Sequence, residues 1–338
     1  MVVLPRLAQL LPLVALSAPR ALCPPRCCVA PPETDPLGER LYSLLHLGGF
    51  AGDLGFYVGQ CSEASRVLEL GCGDGRVAAA LCLGDAPLAV IQELREEEEP
   101  SAEDGEGGPA AEASAEVPQG ASGIEYMGIE TCEAFVHTAR NRLQDARAQI
   151  VQADFLEPLP EGTAPFDAVV LSANTLFCTP EHAALLERCA AALPSSGLLL
   201  LDVYNAIPWH ADAEETGDGA KGEGDEGEGG ESEGVESEGE GRDLLVQVED
   251  EGGRKWTVFE LDPQVDSAAQ RITCRYDFEP AAGDPRRESL VHHYALPAQL
   301  LELLAASGFG VESIYGDFYG SPFSPNESDH LVVVARRL

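Results

Sequence analysis

Residues 67–76 read Val-Leu-Glu-Leu-Gly-Cys-Gly-Asp-Gly-Arg, an apolar stretch that runs into three closely spaced glycines. The apolar part is typical of a buried strand, and the apolar residues of 76–83 favour a helix after it. Glycine permits positive φ angles and a close approach of the backbone to a ligand. In an open α/β sheet, ligands bind beside such strand ends. The stretch therefore predicts a ligand-binding turn between the first strand and its helix.

Strands and helices alternate along the chain after this turn, which favours a parallel sheet covered by helices. The nearly continuous apolar run at 198–204 is typical of a central strand that is buried on both faces. From about 244 to 294, apolar and polar residues alternate instead, which favours an antiparallel sheet with one wet face. A helix at 297–307 and a hairpin of strands 311–315 and 331–335 are predicted to close the fold.

Much of the negative charge lies in two segments. The chain has 338 residues and a formal net charge of −37; ten acids and one Arg lie within 93–116, and thirteen acids and one Lys within 212–240. Acidic, Gly-rich segments cannot bury enough surface to offset the entropy of ordering, so we predict disordered insertions at 95–122 and 211–241. The absence of a Lys/Arg cluster argues against nucleic-acid binding. A protein partner for the insertions stays an open alternative.

The N-terminal segment differs in composition from the rest. Residues 1–32 contain no acid, three Arg and an apolar stretch at 7–18 that is too short to span a membrane. This composition resembles a secretory or organellar targeting segment; a disordered terminus, in a cytoplasmic protein, is the alternative. We therefore begin the folded domain at residue 35, and we predict no membrane association.

The ten cysteines are scattered through the chain without the spacing of a disulfide framework or a zinc site. We therefore predict buried, reduced thiols and no metal.

Two residues of the Gly-rich turn bear on the class of ligand. A dinucleotide-binding turn would need a third glycine at position 76, where this chain has Arg76. Asp74 at the start of the helix would repel a pyrophosphate, whereas Glu69 and Asp74 are compatible with the sulfonium and ammonium groups of S-adenosylmethionine. Charge therefore favours S-adenosylmethionine as the cofactor. An NAD-linked oxidoreductase and a non-catalytic binding protein are the alternatives.

Five segments of the chain occur in a familiar order. They are the turn at 69–75, the strand end Ile129-Glu130, the segment 153–155, the strand at 166–172 and the turn at 193–198. Together they resemble the class I S-adenosylmethionine-dependent methyltransferases, and the C-terminal part resembles their small-molecule branch. The resemblance implies an α/β fold: a Rossmann-like, mostly parallel seven-strand sheet with helices on both faces, plus a small antiparallel β lid inserted after strand five. It also implies methyl transfer to a nitrogen or oxygen of a small-molecule acceptor.

The resemblance also implies a set of cofactor contacts. In that family an acid at the end of the second strand holds the ribose hydroxyls, and Glu130 matches it. Glu93 is the alternative, because the acidic insertion makes the spacing from Gly73 to Glu130 unusually long. The candidate cofactor-binding residues are Glu69, Gly71, Cys72, Gly73, Asp74, Glu130, Thr131, Asp154, Phe155 and Ser172.

Candidate catalytic residues lie on the predicted lid. His292 and His293 titrate near neutrality in the general case and could deprotonate the acceptor, and Tyr294 follows them. Asn174, Tyr315 and Asp317 are candidates for the acceptor pocket. Each of these residues fits an ordinary structural role equally well.

Overall fold

A computed structural model describes residues 49–83, 123–144, 146–160, 163, 165–216, 242–249 and 253–338. The predicted targeting segment, the insertion at 95–122 and residues 217–241 lie outside the described residues. No helix in the described part of the chain is both long and apolar enough to cross a membrane.

The secondary structure alternates as the sequence predicts. The helices are α1 (Asp53–Gln60), α2 (Arg76–Leu83), α3 (Glu133–Arg142), α4 (His182–Ala192), α5 (Ile207–Thr216) and α6 (Pro297–Ala306). The strands are β1 (Arg66–Leu70), β2 (Glu125–Glu130), β3 (Ala148–Gln152), β4 (Ala168–Leu171), β5 (Leu198–Tyr204), β6 (Arg242–Glu249), β7 (Lys255–Asp266), β8 (Arg271–Pro280), β9 (Arg286–His293), β10 (Phe309–Tyr315) and β11 (His330–Arg337).

Seven strands form one sheet in the order β10-β11-β5-β4-β1-β2-β3. β1 pairs in parallel with β2 and β4, whereas β11 is antiparallel to both β5 and β10. The strand order reverses between β4 and β1, and an open α/β sheet binds its ligand in the crevice at such a switch point. Because β11 alone runs against the others, the carboxyl ends of β1 to β5 meet at one edge.

Helices cover both faces of this sheet. One core packs α1, α2 and α3 against alternate residues of the strands, among them Val67, Val170 and Leu200. The other core packs α4 and α6 against the opposite face, which includes Leu68 and Leu199. The predicted Rossmann-like sheet with helices on both faces is confirmed.

A second sheet contains the antiparallel strands β6-β7-β8-β9, as the alternating sequence predicts. Its buried side is built around Trp256, Val258 and Phe278. The sheet follows β5 in the chain, and its last strand contacts the 3₁₀ turn Thr175–Cys178 that follows β4.

One predicted boundary is wrong. The predicted insertion begins at Ala211, but α5 continues to Thr216. The helix packs back on the sheet, because the Trp209 ring lies 5.0 Å from that of Tyr204 and Ala213 is buried. These tertiary contacts stabilise a segment whose acidic composition alone favours disorder.

Arg76, which replaces the third glycine of a dinucleotide-binding turn, is buried at the start of α2. Its guanidinium donates two hydrogen bonds to Asp53 of α1, with Nη1 3.0 Å from Oδ1. A Cβ atom on Gly49 would lie 2.2 Å from this guanidinium, so Gly49 leaves the space that Arg76 fills. The pair thus joins the helix of the Gly-rich turn to the segment that precedes β1.

We expect Asp53→Ala to lower the free energy of unfolding by about 3–5 kcal/mol, because the variant leaves a buried guanidinium without its partner. The exposed pair Arg66–Glu125 provides the control, since Glu125→Ala should cost less than about 1 kcal/mol. Urea unfolding of both variants measures the difference. Equal losses would show that burial does not matter to the Asp53 pair.

Candidate cofactor and acceptor site

The Gly-rich turn after β1 has the backbone conformation that its sequence predicts. Gly71, Gly73 and Gly75 have φ angles of 76°, 54° and 81°. The N–H groups of Gly71 and Cys72 both donate to the carbonyl oxygen of Ile129, at 2.8 and 3.1 Å. A Cβ atom on Gly71 would lie 2.8 Å from Thr175 Cγ2, so this position requires glycine for space as well as for conformation.

Glu130 connects this turn to the end of β2. Its carboxylate accepts hydrogen bonds from the N–H of Gly73 at 3.0 Å and from the N–H of Cys132 at 2.9 Å, and Thr131 Oγ1 lies 3.4 Å away. Burial raises the pKa of Glu130, and these hydrogen bonds oppose the shift. A carboxylate has about four lone-pair sites, so Glu130 keeps acceptor capacity for a ligand hydroxyl. The alternative Glu93 lies outside the described residues, and the strand beside β1 is the one that ends at Glu130.

Glu69 is buried beneath the turn, with 1% of its surface exposed. Its carboxylate accepts hydrogen bonds from the hydroxyls of Tyr126 at 2.5 Å and Ser172 at 2.7 Å. These residues belong to β2 and to the end of β4, so Glu69 spans the switch point between β4 and β1. Burial raises the pKa of Glu69 to about 7.

Asp74 lies at the turn but is paired within the protein. Its carboxylate is 3.0 Å from Nη1 of Arg142, at the end of α3. The negative charge of Asp74, which favours a cationic cofactor, is therefore partly balanced by an arginine.

A cavity of about 210 Å³ opens beside the turn, at the carboxyl ends of β1, β2 and β3. Its walls include Leu70, Ile129 and Val151 from these strands and Phe155 from the segment after β3. Asp154 also lines the cavity, and its Oδ1 accepts a hydrogen bond from the N–H of Leu156 at 2.8 Å. The cavity thus has mostly apolar walls with two acidic side chains, Asp154 and Glu157, a combination that suits an aromatic base and a polar sugar.

The turn after β4 borders the Gly-rich turn on the other side of the switch point. Ala173 and Asn174 both have positive φ angles, 51° and 63°. Asn174 Oδ1 accepts a hydrogen bond from the N–H of Tyr204 at 2.7 Å, and the N–H of Ala173 donates to Asp202 Oδ1 at 2.9 Å. Burial raises the pKa of Asp202 to about 6.

An aromatic cluster lies next to Asn174. The ring of Tyr204 meets those of Phe177 and Trp209 nearly at right angles, with 5.0 Å between centroids in each case. His292 stacks on Tyr204 at 5.6 Å. Of the predicted acceptor-side residues, Asn174 and His292 are thus brought together through Tyr204.

The other predicted residues have different surroundings. The His293 carbonyl oxygen lies 2.7 Å from His182 Nε2, and the Tyr294 hydroxyl lies 2.7 Å from His210 Nδ1. Burial, reinforced by Arg271, lowers the pKa of His293. Tyr315 packs on Phe56, and Asp317 accepts hydrogen bonds from the N–H groups of Tyr319 and Ser321 within its own loop. No group of three or more His, Cys, Asp or Glu in the described ranges could hold a metal ion.

Residues 105–197 match the sequence model of a family described as a methyltransferase domain. This part of the chain is similar to a methyltransferase domain. The matched region contains β2, β3, β4 and α4, with Glu130 and Ser172, and it begins after the Gly-rich turn. No curated protein sequence matches the chain.

Solved structures share the fold of this chain across nearly their whole length. CcbJ methyltransferase from Streptomyces caelestis has a TM-score of 0.57 and 18% identity, over 89% of this chain and 97% of the other. CalS10, an amino pentose methyltransferase from Micromonospora echinaspora solved with SAM bound, has a TM-score of 0.50 and 17% identity, over 88% and 97%. The sugar N-methyltransferase KedS8 from Streptoalloteichus has a TM-score of 0.50 and 18% identity, over 97% and 100%.

The shared fold confirms the Rossmann-like architecture that the resemblance implies. The match over residues 105–197 and the SAM-bound neighbour support S-adenosylmethionine as the cofactor. The site residues predicted from the sequence do not include Tyr204, Trp209 or Phe177. An aromatic residue at the end of an apolar strand is usually a core residue, and only the folded structure shows that these three meet beside Asn174.

We expect the stability of the folded protein to depend on pH through Glu69. The native state, with a pKa of about 7, holds a proton that the unfolded chain releases near pH 4, so this contribution is present in acid and is lost as the pH rises to about 7. Between pH 5 and 8 the free energy of unfolding should fall by up to about 3 kcal/mol more in the wild type than in Glu69→Gln. Urea unfolding at both pH values measures this, with the exposed Glu125→Gln as control. Parallel pH profiles for wild type and Glu69→Gln would contradict the account.

Proposed function

We propose that this protein transfers a methyl group from S-adenosylmethionine to a nitrogen or oxygen of a small-molecule acceptor. The observation that carries the proposal is the carboxylate of Glu130, which holds the Gly-rich turn at the switch point beside the cavity. The dinucleotide alternative is less well supported, because buried Arg76 occupies the place of the third glycine.

In the proposed complex, the cofactor crosses the switch point, with its adenosine part on one side and its methionine part on the other. The base lies in the apolar cavity against Ile129 and Phe155, and Glu130 accepts hydrogen bonds from the ribose hydroxyls. The methionine part then crosses Gly71 toward Ser172 and Asn174. This path places the methyl group next to the aromatic cluster, where the acceptor binds.

In the proposed reaction, a lone pair of the acceptor attacks the methyl carbon, the carbon–sulfur bond breaks, and its electron pair stays on sulfur. S-adenosylhomocysteine leaves without the sulfonium charge, and the acceptor gives up one proton. The sulfonium is already a reactive donor, so the protein contributes mainly by holding donor and acceptor in line. His292, which contacts Tyr204 at the end of β5, is the candidate to take the proton.

An amine on a sugar is the acceptor class that best fits the comparisons, since CalS10 and KedS8 are named for an amino pentose and for sugar N-methylation. The aromatic cluster is compatible with this class, because aromatic faces attract both cations and apolar ring surfaces. Among the described residues, the side chains of the cluster are Phe177, Tyr204, Trp209 and His292, which suit an apolar or cationic acceptor better than an anionic one.

We expect Glu130→Ala to weaken S-adenosylmethionine binding by about 1–3 kcal/mol, because the variant loses a charged hydrogen bond to the ribose and frees the turn. Asp74→Ala is the matched control: it also removes an acid from the site, but one that is paired with Arg142, so affinity should change less than about threefold. Calorimetric titration of the folded variants measures both. A larger loss of affinity in Asp74→Ala than in Glu130→Ala would contradict the proposed role of Glu130 in cofactor binding.

The reaction is tested by incubating the protein with S-adenosylmethionine that is tritiated on the methyl group and a panel of amino sugars. Label is expected in sugars with a free amine and not in their N-acetylated forms, because acylation delocalises the nitrogen lone pair. His292→Ala should lower the rate while leaving cofactor affinity unchanged. Label that appears only in nucleic acid or protein would contradict the proposed acceptor class.

A further inference from the structure

The turn after β4 contains an unusual backbone conformation. Ala173 and Asn174 are consecutive residues with positive φ angles. Asparagine adopts this conformation readily, but alanine does so at an energetic cost because its Cβ crowds the following carbonyl oxygen. Strained residues of this kind persist only where surrounding contacts hold them. Ala173 is therefore the position that needs an external restraint.

The restraint comes from Asp202 of β5. Its Oδ1 accepts the hydrogen bond from the N–H of Ala173 at 2.9 Å, and the hydroxyl of Tyr57 in α1 donates to the same oxygen. Asp202 and Tyr57 are almost completely buried, at 0% and 1% exposure. Tyr57 of α1 thus holds the Asp202 carboxylate, and this carboxylate holds the turn after β4.

The strained turn is in direct contact with the cofactor side of the site. Ser172 donates to Glu69, and Thr175 fills the space next to Gly71. Asn174 is held by the N–H of Tyr204, so its amide is oriented at the edge of the aromatic cluster. A change of conformation at Ala173 would displace residues on both sides of the methyl group.

We propose that Asp202, fixed by Tyr57, is a positioning residue that holds Ala173 in the left-handed conformation and thereby places Ser172 and Asn174 beside bound S-adenosylmethionine. This inference rests on the proposed function, because the position of the cofactor comes from it. It differs from a packing role for Asp202, because it predicts that the backbone preference of residue 173 can replace the carboxylate.

The test is a rescue experiment with S-adenosylmethionine as the probe. Asp202→Ala should weaken its binding about tenfold in calorimetric titration, because the turn relaxes. Adding Ala173→Gly should restore the affinity to within about threefold of wild type, since glycine adopts positive φ without a restraint. Asp202→Asn should lose less affinity than Asp202→Ala, because its amide oxygen can still accept the hydrogen bonds of Ala173 and Tyr57. Ala192→Gly in α4 is the matched control and should not restore binding to Asp202→Ala.

Each outcome has one meaning. If the wild type does not bind S-adenosylmethionine, the proposed function fails. If the wild type binds and Asp202→Ala lowers the melting temperature without changing affinity, Asp202 is only structural and the inference is overturned. Failure of Ala173→Gly to restore affinity overturns it as well. If Asp202→Ala does not fold, Tyr57→Phe takes its place, with a smaller loss of affinity and the same rescue expected.

Discussion

The buried carboxylate of Glu69 is the contact on which the site depends. It accepts hydrogen bonds from the hydroxyls of Tyr126 and Ser172. These bonds connect β2 and β4 to β1 at the point where the strand order reverses. A carboxylate in the interior is costly unless donors surround it, so this contact fixes the relative positions of three neighbouring strands. The cleft lies at the carboxyl ends of these strands.

Two more buried carboxylates with hydrogen-bond donors lie on the side of the sheet that α1 and α2 cover. Asp53 is held by Arg76, and Asp202 by Tyr57 and the N–H of Ala173. Each buried carboxylate joins a segment of the cleft to an element outside it. Because removing either partner leaves a buried polar group without its bond, these contacts specify geometry more strongly than apolar packing does. Buried, paired polar groups beneath the strand ends thus position the residues of the site.

The sequence predicts the part of this architecture that depends on local pattern. The apolar run at 198–204, the glycines of the turn and the alternation beyond residue 244 give the strands, the turn and the second sheet close to their observed bounds. Partners across the fold are not local: Asp74 meets Arg142 from another helix, and α5 is stabilised by the contact of Trp209 with Tyr204. Composition alone therefore misplaces the start of the second insertion.

The acceptor side of the site also combines residues that local pattern predicts with contacts that only the fold creates. Asn174 and His292 can be selected as candidates from their positions after β4 and on the predicted lid. Their association requires Tyr204, whose backbone binds Asn174 and whose ring stacks on His292. β5, β9 and the turn after β4 come together only in the fold, so the aromatic cluster has no signature in the sequence.

The central claim, that the switch point binds a sulfonium cofactor, is tested most directly by calorimetric titration of the purified protein with S-adenosylmethionine, S-adenosylhomocysteine and NADH. The account predicts saturable binding of the first two and none of NADH; binding of NADH without affinity for S-adenosylhomocysteine would contradict it.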